Sequence, residues 1–251
     1  SWMQTTVAAL VCTSFTALCG CDSTWTTRSL PRRARLRRAR DGEDLRVGAA
    51  VAATSALVAM PELAALCFLP EVLVFDLDDT LWEGDVDMTS GPPFRPEGGS
   101  DGLVTARDGD SLRMFQHAEE IFSWIEASGL RAAVASHTSQ GPWAEVLLAT
   151  LKTERGTSYS SIAAIKEMHR AETVANRSKA VHLRKIAQRA GCELHDMVFF
   201  DNMSHNVEDG ESVHVTSCFT PQGLTWAKFL QCLQDFDSRA LARATRSEAA
   251  G

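Results

Sequence analysis

From about residue 71 onward, short apolar runs alternate with longer segments that are apolar on one side only. The apolar runs, dense in Val, Leu, Phe and Ala, predict buried strands at 72–77, 130–135, 197–200 and 213–215. The longer segments, several of which begin at Pro or Ser and stop at Gly, predict helices at 118–127, 142–151, 178–190 and 224–233. This alternation is typical of an α/β fold with a doubly wound, mostly parallel sheet and helices on both faces.

One segment of the body departs from this alternation. Residues 84–110 are rich in Gly, Pro and Asp, which predicts a turn-laden flap rather than core or a large cap domain. Within it, Phe94, Arg107 and Asp110 are candidate contacts to a substrate. Past the closing helix, the chain from Asp237 predicts a flexible tail. The folded domain is therefore expected at 69–236 and the tail at 237–251.

Residues 1–68 differ from the body and predict a targeting region that is largely disordered. Val7 to Cys21 is apolar like a signal-peptide core, and the Ser/Thr/Arg-rich stretch 23–40 resembles a transit peptide. Together they favour a plastid-type leader, whereas a solvated basic tail on a cytoplasmic protein is the alternative. Val47 to Met60 is a second apolar stretch, either a membrane or targeting segment or a helix that leads into the domain.

Charge and cysteine content narrow the classes of function. The chain carries a net charge of −7, but residues 1–50 hold eight Arg and four acidic residues, so the body carries about −11. An acidic body argues against a nucleic-acid partner. The seven Cys form neither a disulfide framework nor a zinc pattern, which favours a reducing compartment.

Polar side chains follow three of the predicted strands. Asp76 and Asp78 project from the same side of the first strand end, where two acids are costly unless a cation or a reaction uses them. Ser136 follows the second strand, and Asp201 and Asn202 follow a later one. Any one of these could be an ordinary polar loop, but the carboxyl ends of parallel strands meet at a ligand crevice. Asp and Asn oxygens there suit Mg²⁺.

The residue sequences at these strand ends carry more specific information than their polarity. The chain reads VFDLDDTLW at 74–82, PPF at 92–94, ASHTS at 135–139, SK at 178–179 and FFDN at 199–202. Together these motifs resemble the magnesium-dependent phosphatase family, a capless branch of the haloacid dehalogenase-like superfamily. Members are often described as acting on protein phosphotyrosine and on sugar phosphates. The resemblance runs from about residue 69 to 233 and leaves out the leader.

The resemblance implies a role for each matched residue. Asp76 is the expected nucleophile that forms an aspartyl-phosphate, and Asp78 the general acid that later activates water. Ser136, His137 and Lys179 are expected to bind the phosphoryl group. Lys179 opens a helix after a Ser and matches the family's Ser-Lys motif.

The metal ligands follow from the same resemblance. Mg²⁺ is the expected cofactor, held by Asp76, Asp78 (through its main-chain carbonyl), Asp201 and Asn202. Asn206, one helical turn further on, either steadies this loop or caps the following helix.

Other residues need separate expectations. Lys166, which could end a strand near the site, is the rival to Lys179 as the cation of the site. Thr80 is expected to stabilise the turn through its hydroxyl.

Three positions depart from the family pattern. Asp79 stands where the family usually has an aromatic residue, and a third acid there could alter the leaving-group preference. His137 stands where Arg is usual, and a neutral imidazole would bind phosphate less strongly. Asn202 replaces a commoner Asp, although related phosphatases place an Asn oxygen on the metal.

The sequence therefore predicts a Mg²⁺-dependent phosphatase, possessing an open site, that hydrolyses phosphomonoesters through an aspartyl-phosphate. Its substrate is expected to be a small-molecule phosphate ester or a phosphoprotein such as a phosphotyrosine protein. The alternatives are a sugar phosphotransferase, which usually needs a cap, and a catalytically silent binding module, which usually loses one catalytic acid. We expect a monomer whose body is not embedded in a membrane.

Overall fold

The computed structural model describes residue 63 and residues 65–97, 102–169 and 178–249. The predicted targeting segments, including 47–60, lie outside the described residues, so the leader and its compartment stay predictions. Across the described ranges, no helix combines the length and the apolar character needed to cross a bilayer.

The described residues form nine strands and six α-helices. The strands are β1 (Val72–Phe75), β2 (Trp82–Glu83), β3 (Arg95–Pro96), β4 (Leu103–Thr105), β5 (Ser111–Met114), β6 (Arg131–Ser136), β7 (Ile165–Met168), β8 (Met197–Asp201) and β9 (Thr216–Phe219). The helices are α1 (Gln116–Ser128), α2 (Gly141–Thr150), α3 (Tyr159–Ile162), α4 (Lys179–Ala190), α5 (Ser204–Ser212) and α6 (Trp226–Ala249).

Five parallel strands form the central sheet in the order β7-β6-β1-β8-β9. β1 is fully buried at its centre, and its side chains alternate between the two faces. Leu73 and Phe75 belong to one apolar cluster, whereas Val72 and Val74 belong to the other. The predicted doubly wound parallel sheet is confirmed.

Helices cover both faces of this sheet, as predicted. On one face, Phe75 lies 5.3 Å from Phe122 of α1 and 5.1 Å from Phe200, between ring centroids. The same cluster takes in residues of α2, α3 and α6. On the other face, Leu183 and Ile186 of α4 pack on β1 and β6. The sheet is thus buried on both sides, and its chemistry is confined to its edges and strand ends.

The segment between β1 and α1 is more regular than predicted. Instead of turns alone, it contains a small antiparallel sheet in the order β2-β5-β4-β3, which we call the flap (residues 82–114). Its strands have two to four residues, too few for an alternating pattern to be visible in the sequence. The described residues contain no large cap domain, which agrees with the expectation.

Two boundaries near the C-terminus were predicted wrongly. The last strand is Thr216–Phe219, not 213–215, because Val213 and Val215 both donate their N–H to Gly210 O and so close α5. The chain from Asp237 is not a flexible tail, since α6 continues to Ala249. It is anchored by the buried Phe236 and by Asp237, whose Oδ1 accepts the N–H of Phe68 at 2.7 Å.

Three elements of the body were missed or left without bounds. No bounds were predicted for β7 and α5, and α3 was not expected, because each is short or lacks a strong apolar pattern. The cysteines predicted no disulfide framework, but the structure joins one pair. Cys218 of β9 and Cys232 of α6 form a disulfide with a Cα–Cα distance of 6.0 Å, which joins the edge of the sheet to α6.

Candidate active site

Three charged groups meet at the carboxyl ends of β1 and β8, close to the end of β6. The ammonium of Lys179 lies 2.5 Å from Asp76 Oδ1 and 3.1 Å from Asp201 Oδ2. All three residues are buried. A lone buried charge would cost several kcal/mol, so this cluster depends on mutual compensation. Strand order explains it, because β1 lies between β6 and β8 and brings residues far apart in sequence together.

Lys179 is placed by three hydrogen bonds at the start of α4. Ser178 caps the helix by accepting the N–H of Ala180 at 3.2 Å, and Asp209 accepts the N–H of Lys179 at 2.8 Å. Its Nζ also donates to the carbonyl of Ala135 at 2.5 Å. The side chain therefore enters the crevice directly from the first helical turn.

The rival cation lies elsewhere. Lys166 donates to Ser160 O at 3.0 Å and pairs with Glu145 at 3.4 Å. Neither partner belongs to the carboxyl-end cluster. The preference for Lys179, which rested on its place at a helix start, agrees with this geometry.

The electrostatics of the cluster follow from its burial. Desolvation raises the pKa of Asp76 to about 6, against the opposing attraction of Lys179. Burial alone would lower the pKa of Lys179, but the nearby carboxylates of Asp76 and Asp201 raise it above its ordinary value. The lysine therefore stays charged, and its ammonium favours the ionised form of Asp76.

Asp78 is directed toward the flap rather than toward Lys179. Its Oδ1 accepts the indole N–H of Trp82 and the main-chain N–H of Val86, each at 2.9 Å. Burial raises its pKa to about 7, although both hydrogen bonds oppose the shift. Two acids spaced by two residues thus have different surroundings, which suits different chemical roles.

The two residues after Asp78 shape the turn. Asp79 has a left-handed φ of 54°, which Asp tolerates better than most residues, and its Oδ1 accepts the N–H of Gly84 at 2.8 Å. The structure thus places this exposed acid in the turn. Thr80 contributes differently from the prediction, because its buried hydroxyl has no hydrogen-bond partner while its carbonyl accepts the N–H of Leu224.

Ser136 is the last residue of β6, which lies beside β1, and His137 follows it. Ser136 is buried, and its Oγ accepts the N–H of Thr138 at 3.2 Å. The ring of His137 packs against that of His182 with 4.7 Å between centroids, and its Nε2 is buried without a partner. Burial lowers the pKa of His137 to about 4, so the imidazole is neutral at pH 7. Both remain predicted phosphate-binding residues.

Asp201 is held firmly at the end of β8. Its Oδ1 accepts the N–H of Met203 at 2.8 Å, and the amide Nδ2 of Asn206 lies 3.0 Å from each carboxylate oxygen. Of the two roles considered for Asn206, steadying this loop agrees with the geometry. Asn202 follows directly and is half-buried at the same sheet edge.

The donor set at this edge fits a hard divalent cation. Asp76 and Asp201 bring two carboxylates to the same strand edge, and only one oxygen of each contacts Lys179. Among the described residues, no three His, Cys, Asp or Glu side chains form a ready-made metal cluster. The predicted ligand set, in which the Asp78 carbonyl, the Asn202 amide and water complete two carboxylates, would not need such a cluster.

The candidate flap contacts mostly hold the flap itself together. Phe94 is buried in the core, Arg107 Nε donates to Pro92 O at 3.1 Å, and Asp110 accepts the N–H of Ser90 at 2.9 Å. Phe94 is therefore not available as an open contact. Sequence reasoning gave no role to Asp87, whose carboxylate reaches the loop after β6. No periodicity or spacing in the sequence marks it.

A buried Asp-Lys-Asp cluster at the carboxyl edge of a doubly wound parallel sheet, beside a second Asp two residues on, defines a haloacid dehalogenase-like protein. The family model described as Acid Phosphatase matches residues 68–239. The chain belongs to this acid phosphatase family, within the haloacid dehalogenase-like group that includes magnesium-dependent phosphatases. The resemblance seen in the sequence is thereby confirmed.

Two curated relatives agree with this assignment. Magnesium-dependent phosphatase 1 of Homo sapiens is 31% identical over 168 residues, covering 67% of this chain and 88% of that protein. A HAD-like hydrolase superfamily protein of Schizosaccharomyces pombe is 27% identical over 139 residues, which cover 55% of this chain and 79% of that protein. Among solved structures, the N-terminal phosphatase domain of BF1531 from Bacteroides fragilis, complexed with Mg, has a TM-score of 0.43 at 19% identity. It covers 67% of this chain and 40% of that one.

Proposed function

We propose that this chain is a Mg²⁺-dependent phosphatase that hydrolyses phosphomonoesters through an aspartyl-phosphate on Asp76. The observation that carries the proposal is the contact of one buried ammonium, on Lys179, with the carboxylates of Asp76 and Asp201. Such a cluster provides a nucleophile, a fixed positive charge and a second carboxylate at one strand edge. These are the parts that phosphoryl transfer needs.

In this mechanism Asp76 attacks phosphorus and the ester oxygen leaves. Asp76 is aligned by its main-chain N–H, which donates to Phe200 O at 2.9 Å, and by the ammonium of Lys179. Lys179 offsets part of the negative charge that collects when a carboxylate meets a phosphate dianion. When bound, Mg²⁺ supplies further charge neutralisation at the phosphoryl oxygens.

Asp78 is the proposed general acid. The indole of Trp82 and the N–H of Val86 both donate to Oδ1, which leaves Oδ2 to carry the proton. That proton passes to the leaving oxygen, and the resulting carboxylate then takes a proton from the water that attacks the aspartyl-phosphate. The hydrogen bonds fix the carboxyl group in one orientation for both steps.

The proposed substrates are phosphotyrosine proteins or sugar phosphates. No large cap covers the strand edge among the described residues, and the flap that borders it is a small sheet. An open site of this kind admits a phosphorylated side chain as well as a compact phosphate ester. Substrate preference is therefore the part of the proposal that most needs measurement.

We expect the purified protein to release p-nitrophenol from p-nitrophenyl phosphate in Mg²⁺ and to lose this activity in EDTA, with recovery when Mg²⁺ is restored. Activity that persists in EDTA would contradict the metal dependence. A folded, Mg²⁺-loaded protein without turnover would instead support a silent binding module. The kcat/KM values for phosphotyrosine peptides and for sugar phosphates then distinguish the two substrate classes. Adding an acceptor sugar tests the alternative of a sugar phosphotransferase.

Asn206→Ala tests how the metal ligand Asp201 is held. The change removes both hydrogen bonds from Nδ2 to the carboxylate, so Asp201 gains freedom at the metal position. We expect the Mg²⁺ concentration for half-maximal activity to rise about tenfold or more, with a smaller change at saturating Mg²⁺. His205→Ala, at the exposed neighbouring position, is the control. Equal Mg²⁺ requirements for both variants would remove Asn206 from this role.

A further inference from the structure

The flap turn at residues 86–88 contacts two parts of the site at once. The carboxylate of Asp87 accepts main-chain N–H groups of Ser139 at 2.8 Å and Gln140 at 3.1 Å. It also accepts the hydroxyls of Thr138 and Ser139. Four donors on one carboxylate, from a segment about fifty positions further along the chain, form a tight connection between the flap and the loop after β6.

The far side of this connection leads to Ser136. The hydroxyl of Ser136 accepts the N–H of Thr138 at 3.2 Å, and Thr138 is itself buried. Gln140, the N-cap residue of α2, makes no side-chain capping bond of its own. Asp87 accepts the N–H of this N-cap residue and of Ser139 before it, and so fixes the course of the loop from Ser136 to α2.

The near side of the connection leads to Asp78. Val86, directly before Asp87, donates its main-chain N–H to Asp78 Oδ1. A displacement of the Asp87 carboxylate would therefore move one of the two donors that orient the general acid. Hydrogen bonds from Ser139 and Thr138 lower the pKa of Asp87 against the effect of partial burial, so it is ionised at neutral pH.

We propose that Asp87 is a positioning residue that sets the general acid Asp78 and the phosphate-binding loop at Ser136 in a fixed mutual geometry. It acts through Val86 on one side and Thr138 on the other, without contacting the substrate. This inference rests on the proposed phosphatase function. The competing explanation is that Asp87 only caps α2 and contributes to stability.

The test is Asp87→Asn, which keeps the size of the side chain. The new amide group would replace one acceptor oxygen by a donor, and it would face N–H and O–H groups that are donors themselves. We expect kcat/KM for p-nitrophenyl phosphate to fall about tenfold to a hundredfold, and the inhibition constant of inorganic phosphate to rise. The loss is expected to be larger for an alkyl phosphate. An alkoxide leaves poorly and needs a proton from Asp78, whereas p-nitrophenolate leaves without one.

Three comparisons decide the outcome. Glu97→Gln, which changes another exposed flap carboxylate bonded to Thr105, should leave every kinetic constant unchanged. Thr138→Val should lose little further when combined with Asp87→Asn, because both act on one connection. If Asp87→Asn lowers only the Tm and leaves kinetic constants and phosphate inhibition unchanged, Asp87 is merely a cap and the inference is wrong. An inactive wild type would instead overturn the proposed function itself.

Discussion

Replacing Asp76 with Asn is expected to lower the phosphatase kcat by at least about a thousandfold, because the amide cannot attack phosphorus. The change is nearly isosteric, and Asp76 lies where β1 ends, so the fold should survive. Its Oδ1 currently accepts a hydrogen bond from Lys179, and an Asn oxygen can keep that contact. Lost turnover with an intact fold would therefore report on chemistry rather than on unfolding. Steady-state kinetics and a urea melt check the two parts.

Asp79→Asn is the matched control for this experiment. Asp79 is exposed, three positions along the same turn, and its carboxylate holds the N–H of Gly84. We expect nearly wild-type kcat and KM for this variant. Substrate trapping gives a second readout, since Asp76→Asn should still bind inorganic phosphate. Wild-type protein quenched in acid during turnover should carry phosphate on an acid-stable aspartyl bond. Retained turnover in Asp76→Asn would show that Asp76 is not the nucleophile.

The core of the fold could be predicted because its signals are local and redundant. Val72 to Phe75 is a continuous apolar run, and a strand buried on both faces requires such a run. Gly129 and Gly191 end α1 and α4 in left-handed conformations. Glycine favours that conformation, so the sequence alone indicated both helix ends. The small sheet of the flap and the bounds of β7 were not predicted, because their strands are too short, or too evenly half-buried, to show a period.

The C-terminal error has a different cause. Val213 and Val215 are apolar and buried, and in sequence they are indistinguishable from a strand. Local hydrogen bonds from both residues to Gly210 O close α5 instead, and the strand begins only at Thr216. The extension of α6 past Asp237 likewise depends on the burial of Phe236 and Ala240 against the body. The sequence does not reveal this burial, because the helix is polar along most of its length.

Within the site, sequence spacing could group residues but could not show their contacts. Asp76 and Asp78 are two residues apart and look equivalent, yet one bonds Lys179 and the other bonds the flap. That difference depends on hydrogen bonds from Trp82 and Val86, which the motif residues alone do not show. Asp87 was missed for the same reason, because its partners lie on a loop about fifty residues away. Strand order, not sequence distance, brings these groups together.

The second large effect is expected at Lys179. Lys179→Met replaces the buried ammonium by an apolar side chain of similar length and leaves Asp76 and Asp201 close together without compensation. We expect the free energy of unfolding without metal to fall by about 3–5 kcal/mol, as for other broken buried ion pairs. Activity in Mg²⁺ should fall about a hundredfold to a thousandfold, since a fixed positive charge at the phosphoryl group is gone.

Mg²⁺ distinguishes this explanation from a simple packing defect. Two uncompensated carboxylates attract a divalent cation, so Mg²⁺ should stabilise Lys179→Met more than it stabilises the wild type in urea melts. Lys166→Met, which removes a lysine that bonds Ser160 and Glu145, should show neither the extra Mg²⁺ effect nor the loss of activity. If Mg²⁺ stabilised both variants and the wild type equally, the ammonium of Lys179 would not be the charge that compensates Asp76 and Asp201.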